Sequence, residues 1–258
     1  MVAVGSEVTG VKAGDRVMCS GSGGYAEYAV SDMGRTALVP ANNMTWEQAA
    51  TLPVALHTMH DAIVTNGRLA KGESILIQGA SSGVGLMGLQ IARHMGAGLV
   101  IGSSTNAAKR ARLAEFGADL AIDSSDPGWP AAVKEATGGK GVEVIVDMIS
   151  ASVANQNLDA ARILGRIVNV GRLGGFKGEF DFDLHALKRV SYIGVTFRTR
   201  TVEEVREINR RMREDLWDAL EAGKLALPID RSFELAEAAA ALRHMKENAH
   251  FGKVVLRV

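Results

Sequence analysis

The sequence predicts an α/β fold in which a doubly wound parallel β-sheet carries helices on both faces. The 258 residues are 47% hydrophobic and 22% charged, which is usual for a globular chain. There are 29 glycines but only 7 phenylalanines, 3 tyrosines and 3 tryptophans, which favours many tight turns. From Glu73 onward, short apolar runs alternate with helical patterns and turns. Strands that are apolar throughout are typical of a parallel sheet buried on both faces.

The first 45 residues predict short strands between turns. Gly14 marks a turn before a strand that reaches Met18, and residues 23–30 alternate like a half-buried strand. The segment Thr45-Trp-Glu-Gln48 has the form of a capping box, in which the threonine and the glutamine satisfy the first N–H groups of a helix. A helix is therefore predicted to open at this point.

Six strands follow, in alternation with helices. The predicted strands are 74–78, 99–101, 120–122, 142–147, 166–171 and 189–195. The predicted helices between them are 84–95, 107–116, 130–136 and 153–162. Two further helices, 202–222 and 234–247, and a closing strand, 253–258, lie outside this rhythm. We expect them to pack with residues 1–45 as a second, discontinuous lobe.

The turn after the first of these six strands reads Gly79-Ala-Ser-Ser-Gly-Val-Gly85 and leads into a helix. Small residues let the backbone approach a pyrophosphate, and the helix N-terminus supplies N–H groups and the positive end of the helix dipole. The alternative is a tight strand–helix turn without a ligand. Because the turn opens a six-strand βα array, the sequence predicts a Rossmann-type dinucleotide site.

Two other classes with a similar glycine turn are disfavoured. Short-chain dehydrogenases need a tyrosine four residues before a lysine, and none of Tyr25, Tyr28 and Tyr192 meets this condition. Sites for adenosylmethionine or NAD usually carry a carboxylate at the end of the second strand, where it binds the ribose. No Asp or Glu occurs between Glu73 and Glu115.

Hydroxyl groups and cations follow the second strand instead. Ser103 and Ser104 end it, and Lys109 and Arg110 come soon after. Such groups bind a 2′-phosphate, so we predict NADPH as the cofactor. The alternative interpretation of Lys109 and Arg110 is a solvated basic helix face.

Charge, cysteine and histidine content exclude several function classes. Lys+Arg and Asp+Glu number 29 each, which argues against binding nucleic acid or an anionic membrane. With one cysteine, Cys19, no internal disulfide and no metal site are predicted, and His57 and His60 are interpreted as solvated or core residues. No apolar run reaches the roughly 18 residues of a membrane span, and no signal peptide is recognised, so we expect a cytoplasmic protein.

Together these motifs resemble the medium-chain dehydrogenase/reductase superfamily, specifically its zinc-free NADPH:quinone oxidoreductase branch. The resemblance covers essentially the whole chain. Its markers are Ala13-Gly-Asp-Arg-Val17, Gly23-Gly-Tyr-Ala-Glu-Tyr28, Leu52-Pro53 with Thr58, the glycine turn with Gln90-Ile-Ala-Arg93, Gly117-Ala-Asp119, Gly194-Val-Thr-Phe197 and His250-Phe-Gly-Lys-Val-Val255. It implies a partial GroES-like catalytic lobe over 1–55, a Rossmann domain over 56–197, and helices and a strand over 198–258 that return to the first lobe.

The resemblance also implies which residues contact the cofactor. The set is Thr58, Ser81, Ser82, Gly83, Val84, Ser103, Ser104, Lys109, Ser124, Gly171, Arg172, Val195, Thr196 and Phe197. Ser124 stands where the family has a tyrosine or similar ring, and Met148-Ile-Ser150 stands where it has small residues. No catalytic side chain is assigned, and solvent is expected to protonate the product.

The implied activity is hydride transfer from NADPH to a quinone, or to an activated alkene such as an enone or an enoyl thioester. The resemblance further implies a homodimer joined through the sixth strand. Relatives carry several dozen residues before the position of Met1, and these complete the GroES-like lobe. An NADPH-binding protein with an incomplete substrate lobe is therefore the alternative, and we expect an open acceptor site with slow, unselective quinone reduction.

Overall fold

The computed structural model describes residues 1–258. Its strands are β1 (Val17–Cys19), β2 (Thr36–Leu38), β3 (Ser74–Ile77), β4 (Leu99–Ser103), β5 (Leu120–Ile122), β6 (Val142–Asp147), β7 (Ala161–Asn169), β8 (Ser191–Gly194), β9 (Ile229–Glu234) and β10 (Lys253–Arg257). Its α-helices are α1 (Trp46–Thr51), α2 (Pro53–His60), α3 (Gly83–His94), α4 (Ala107–Arg110), α5 (Trp129–Ala136), α6 (Ala154–Ala160), α7 (Phe182–Lys188), α8 (Val202–Glu221) and α9 (Ala238–Lys246). The chain divides into two compact units, one made of Met1–His57 with Thr199–Val258 and the other of Thr58–Arg198.

The unit Thr58–Arg198 is built on a six-stranded parallel sheet, as predicted. The strand order is β5-β4-β3-β6-β7-β8, and all neighbouring strands are parallel. The chain moves outward from β3 to β5, returns to β6 beside β3, and then moves outward to β8. The loops that leave the carboxyl ends of β3 and β6 therefore diverge, and in sheets of this kind the crevice between them is where ligands bind.

The core of this unit surrounds the central strands. Leu76 of β3 and Ile145 of β6 are fully buried in a cluster with Trp129 of α5 and Leu158 of α6. Full burial of such a side chain contributes roughly 1.5–3 kcal/mol. Because both faces of the central strands are covered, their sequences are apolar throughout, and this is why the sequence located them well.

Helix α3 covers the sheet next to the glycine turn. Its N-cap is Ser82, and its end is followed by Gly96, whose φ of +85° a glycine adopts without strain. A Cβ at Gly88 would lie 3.0 Å from the Sδ of Met59 in α2, so the two helices approach closely at this point.

Several predicted elements differ in the structure. Residues 23–30 form no strand, and Val30 is 98% exposed. The prediction was wrong because an alternating pattern does not provide a partner strand, and β1 pairs with β2 instead. The predicted helix 107–116 ends at Arg110 and is followed by a 3₁₀ turn, Leu113–Phe116. The predicted helix 153–162 ends at Ala160, and β7 begins at the next residue, Ala161.

The unit formed by the two ends of the chain contains two small sheets. Strands β1 and β2 pair antiparallel, and β9 and β10 pair parallel. The long helix α8 begins with a capping box at Thr201. Its Arg206 donates two hydrogen bonds to the carboxylate of Asp32, at 2.9 and 2.6 Å, and thereby ties together segments distant in sequence. Across the whole chain, no helix has the length and apolar character needed to cross a membrane.

Candidate functional site

The glycine turn between β3 and α3 requires glycine at particular positions. Gly79 has a φ of +70°, and a Cβ at Gly85 would lie 2.6 Å from both the Cα of Ala80 and the carbonyl oxygen of Gly79. The Ser82 hydroxyl accepts a hydrogen bond from the Gly85 N–H at 3.1 Å and donates one to the Gly79 carbonyl at 3.0 Å. The N–H groups of Gly83 and Val84, the first two residues of α3, have no acceptor within the helix, so they are available to an anion.

Three predicted site serines lie together at the ends of β3 and β4. Ser103 is fully buried, and its hydroxyl accepts from the Gly79 N–H at 2.9 Å and donates to Oε1 of Gln78 at 2.5 Å. Ser103 therefore fixes the start of the glycine turn to the end of β4. The hydroxyls of Ser81 and Ser104 share a hydrogen bond of 2.9 Å. Both of these hydroxyl groups stand beside the turn.

Two basic residues, Lys109 and Arg110, follow on α4, and their surroundings differ. Lys109 is only 8% exposed, which rules out a solvated helix face for this residue. Arg110 donates to the Ser104 carbonyl at 2.8 Å and forms an ion pair of 3.0 Å with Asp123. Arg110 therefore joins the loop after β4 to the loop after β5, where the predicted Ser124 lies half-buried.

A buried carboxylate organises the loop after β6. Asp147 has no exposed surface, and it accepts hydrogen bonds from the backbone N–H groups of Ile149 and Ser150 at 2.8 and 2.9 Å. It also accepts from Nδ2 of Asn157 at 3.0 Å, and Oδ1 of Asn157 accepts from Gln78 at 2.9 Å. Burial raises the pKa of Asp147, although these hydrogen bonds act in the opposite direction. A row of polar groups thus crosses the sheet from β3 to β6.

The loop after β7 is fastened to the loop after β6. The Ser150 hydroxyl donates to the Gly171 carbonyl at 2.5 Å. A Cβ at Gly171 would lie 2.6 Å from the carbonyl oxygen of Met148, so this position also requires glycine. Ser150 itself has a φ of 69° and a ψ of −121°, a region that costs a residue with a side chain about 1–3 kcal/mol.

The remaining predicted site residues lie at the ends of β7, β8 and α2. Arg172 is half-buried and donates to the Val170 carbonyl at 3.1 Å. The buried Val195 donates its N–H to the Asn169 carbonyl at 3.0 Å, and Phe197, two residues later, is 37% exposed. Thr58 is half-buried in α2 and takes no part in these hydrogen bonds.

A family model described as zinc-binding dehydrogenase matches residues 83–214, about half of the chain. This match includes the first turn of α3 and the whole carboxyl edge from β4 to β8. The chain belongs to the medium-chain dehydrogenase/reductase superfamily. Its structure has the mixed α/β architecture of solved members, with their Rossmann-type sheet.

Curated relatives of this superfamily member are much longer proteins. Polyketide synthase GfsB of Streptomyces halstedii is 32% identical over 263 residues, which cover 100% of this chain and 4% of the synthase. The chain likewise spans only 12% of a highly reducing polyketide synthase of Aureobasidium melanogenum, to which it is 27% identical.

Solved structures match over a larger share of their length. A quinone oxidoreductase of Pseudomonas syringae pv. tomato DC3000 is 28% identical with a TM-score of 0.87, over 100% of this chain and 79% of that one. A mycobacterial protein solved with NADPH is 26% identical with a TM-score of 0.88, over 99% and 79%. The CurK enoyl reductase is 27% identical with a TM-score of 0.85, over 99% and 76%.

The residues of this superfamily member fit a dinucleotide at the carboxyl edge of the sheet. Gly85 and Gly171 stand where the backbone passes close to neighbouring backbone, and the crevice at the switch point lies between their loops. The end of β4 offers hydroxyl groups and a lysine where NAD sites carry a carboxylate. The histidines at 57 and 60 are buried in the fold. No cluster of three or more His, Cys, Asp or Glu side chains is arranged to hold a metal ion.

Sequence reasoning missed two features of this edge. One is the Asp147 carboxylate with its hydrogen bonds, since only the strand order brings it beside Gln78 and Asn157. The other is a cavity of about 420 Å³ beside the ends of β7 and β8. Aromatic rings line much of it, including Phe176, Phe180 and Tyr192. The signal available in the sequence was the cluster of phenylalanines between Phe176 and Phe182.

Proposed function

We propose that this chain is an NADPH-dependent reductase of an electron-poor acceptor in which a double bond is conjugated to a carbonyl group. The observation that carries this proposal is the end of β4. There the paired hydroxyls of Ser81 and Ser104 lie beside the glycine turn, and the buried Lys109 follows on α4, in a stretch of sequence without a carboxylate. Those groups suit a 2′-phosphate, and a carboxylate would repel it.

In this proposal the protein binds and orients the cofactor through its backbone and a few polar groups. The N–H groups at the start of α3, next to Ser82, Gly83 and Val84, bind the pyrophosphate, because the positive end of the helix dipole lies there. The loop containing Gly171 and Arg172 and the segment from Val195 to Phe197 hold the nicotinamide half. NADPH supplies the hydride. No side chain is assigned as the proton donor, and solvent protonates the product.

A quinone is the acceptor we propose first, and the likeness to the Pseudomonas quinone oxidoreductase supports it. An enone or an enoyl thioester is the second candidate. The 32% identity to a polyketide synthase across the whole chain and the likeness to the CurK enoyl reductase favour that candidate. The two acceptors share a polarised, conjugated double bond, so one way of positioning the hydride would serve both.

The test uses the purified chain. NADPH and NADH binding are measured by calorimetric titration, and loss of reduced cofactor absorbance is followed with 1,4-benzoquinone and, separately, with a crotonyl thioester. We expect NADPH to bind more tightly than NADH and the quinone to be reduced with the higher kcat/KM.

Each other result selects a different conclusion. A higher kcat/KM on the thioester replaces the first candidate by the second. Binding of NADPH without turnover on either acceptor identifies an NADPH-binding protein. Absence of binding to NADPH contradicts the proposal as a whole.

A further inference from the structure

Ser150 adopts a backbone conformation that favours glycine. Its φ of 69° and ψ of −121° lie outside the regions that residues with a Cβ normally occupy. The residue is 8% exposed, so the conformation belongs to a packed part of the fold and not to a loop tip. Strain of this kind persists only where the surrounding contacts enforce it, and it concentrates at functional positions.

The polar groups of Ser150 enforce the conformation. Its N–H donates to the Asp147 carboxylate at 2.9 Å, and its hydroxyl donates to the Gly171 carbonyl at 2.5 Å. The same hydroxyl accepts a short hydrogen bond from Nδ2 of Asn169. One strained residue therefore links the end of β6 to the loop after β7.

The loop after β6 and the loop after β7 are also joined by backbone hydrogen bonds along the carboxyl edge of the sheet. Leu173 donates its N–H to the Met148 carbonyl at 3.1 Å, and Gly174 donates to the Ile149 carbonyl at 2.7 Å. These backbone bonds fix the distance between the loops. The bond from Ser150 in addition fixes the direction of the Gly171 carbonyl, and thus of the peptide that leads to Arg172.

We propose that Ser150 is a positioning residue for the nicotinamide half of the cofactor. It acts through Gly171 and Arg172 and holds their peptide in the conformation that receives the nicotinamide. This inference rests on the proposed function, which places the nicotinamide beside these two residues. An alanine at this position keeps the strain but loses the hydroxyl, whereas a glycine loses both.

The experiment compares Ser150→Ala and Ser150→Gly with wild type in two titrations. One ligand is NADPH, and the other is adenosine 2′,5′-bisphosphate, which carries the adenosine half but no nicotinamide. The loss of one hydrogen bond of ordinary strength predicts a NADPH Kd raised by about three- to tenfold in both variants. The Kd for the bisphosphate should stay within a factor of about two, since Ser150 touches none of the groups at the end of β4.

Thermal unfolding supplies the readout that separates positioning from a purely structural role. The glycine variant should have the higher Tm of the two, because it relieves the strain, yet both should lose NADPH affinity alike. Ser22→Gly is the matched control, since Ser22 is exposed, has no positive φ and lies outside these loops, and it should leave both Kd values unchanged.

The proposal is overturned if both Ser150 variants bind NADPH as wild type does. It is equally overturned if NADPH affinity follows Tm, or if the two ligands lose affinity in parallel. Failure of the wild-type chain to bind NADPH contradicts the proposed function itself, a result that the variants do not influence.

Discussion

The two halves of the sheet's carboxyl edge are held together by different chemistry. On the β3–β4 side, neutral hydroxyls fasten the loops, and the buried basic residue Lys109 follows on α4. On the β6–β7 side, the buried Asp147 carboxylate and the strained Ser150 fasten the loops. The difference suggests that one half is built to receive an anionic group and the other to hold a neutral ring in a fixed geometry. Four substitution experiments test this division.

The largest effects are expected from Gly85→Ala and Gly171→Ala, one in each half. Each new Cβ would lie 2.6 Å from backbone atoms, which cannot move aside like a flexible side chain. Each substitution should lower the free energy of unfolding by about 3 kcal/mol, the upper end of what overpacking usually costs. Urea unfolding measures this, and Gly21→Ala, where nothing lies within 4 Å, should cost little.

Binding measurements on the same pair sharpen the comparison. Gly85→Ala should abolish binding of adenosine 2′,5′-bisphosphate, because the proposed function places the adenosine half of the cofactor at the glycine turn. Gly171→Ala should retain that binding and weaken NADPH. Equal loss of both ligands in both variants would show that the two halves do not act separately.

Asp147→Asn replaces the carboxyl group that accepts the hydrogen bonds of the β6 loop. The amide oxygen can still accept from the N–H groups of Ile149 and Ser150, which share one carboxylate oxygen, but its NH₂ group then faces the donor Nδ2 of Asn157. We therefore expect a loss of about 1–3 kcal/mol at neutral pH. The loss should depend on pH. Because burial raises the pKa of Asp147 above the ordinary 3.8, the folded state binds the proton more tightly than the unfolded chain does.

The sign of the pH effect follows from this linkage. As the pH rises from the ordinary carboxyl pKa through the raised one, the free energy of unfolding of wild type falls. That of the Asn variant does not change for this reason, because its amide group does not titrate. The stability difference in favour of wild type should therefore be largest at acid pH, decline through this window and become constant above it. Urea unfolding of both proteins across the window measures the difference, and a difference independent of pH would contradict the raised pKa.

The parts of the fold that the sequence located well are those with a local signal. The six strands of the parallel sheet are short apolar runs bounded by turns, and the glycine turn shows its own spacing. Helix α2 and the π-helical turn after it, Asp61–Asn66, were not predicted. Their inner residues, such as Leu56 and Met59, are buried without a clear polar face between them, so no amphipathic period marks the helix.

The candidate site was predictable to a similar extent. Motif spacing could predict Ser82 and Lys109 as site residues because each belongs to a short motif that is continuous in sequence. The hydrogen bonds of Asp147 depend on which strands lie side by side, and no local pattern carries that information. The exposed segment 23–30 is the opposite case. Its sequence has the alternation of a strand, but no partner strand pairs with it and no strand forms.

Lys109→Ala tests the half that receives charge. A charge-assisted contact with a phosphate is worth about 1.5–3 kcal/mol, so NADPH affinity should fall roughly ten- to a hundredfold and NADH affinity should barely change. Fluorescence titration with both cofactors measures the ratio. The exposed Lys140, changed to alanine in the same way, should leave the ratio as it is. An equal loss of affinity for NADPH and for NADH would show that Lys109 does not contact the 2′-phosphate.

The smallest effect on the site is expected at the outer ends of the two halves, where the sheet has free edges. We propose that β8, at the end of the β6–β7 half, pairs with β8 of a second copy, since Ser191 and Gly194 are exposed along it. Ser191→Lys should then turn a dimer into a monomer, as light scattering would detect. Ala121→Lys on β5, the opposite edge, is the matched control and should not. A monomeric wild type would contradict the pairing.

The buried carboxylate also has a consequence for how the loop after β6 opens. Loop amides usually exchange their hydrogens quickly, because small local openings of the backbone are enough to expose them to water. The amides of Ile149 and Ser150, in contrast, are bonded to a carboxylate that has no exposed surface. Releasing them requires Asp147 to be uncovered, which means separating β6 from α6. These two amides should therefore exchange with deuterium as slowly as those of the central strands, although they belong to a loop.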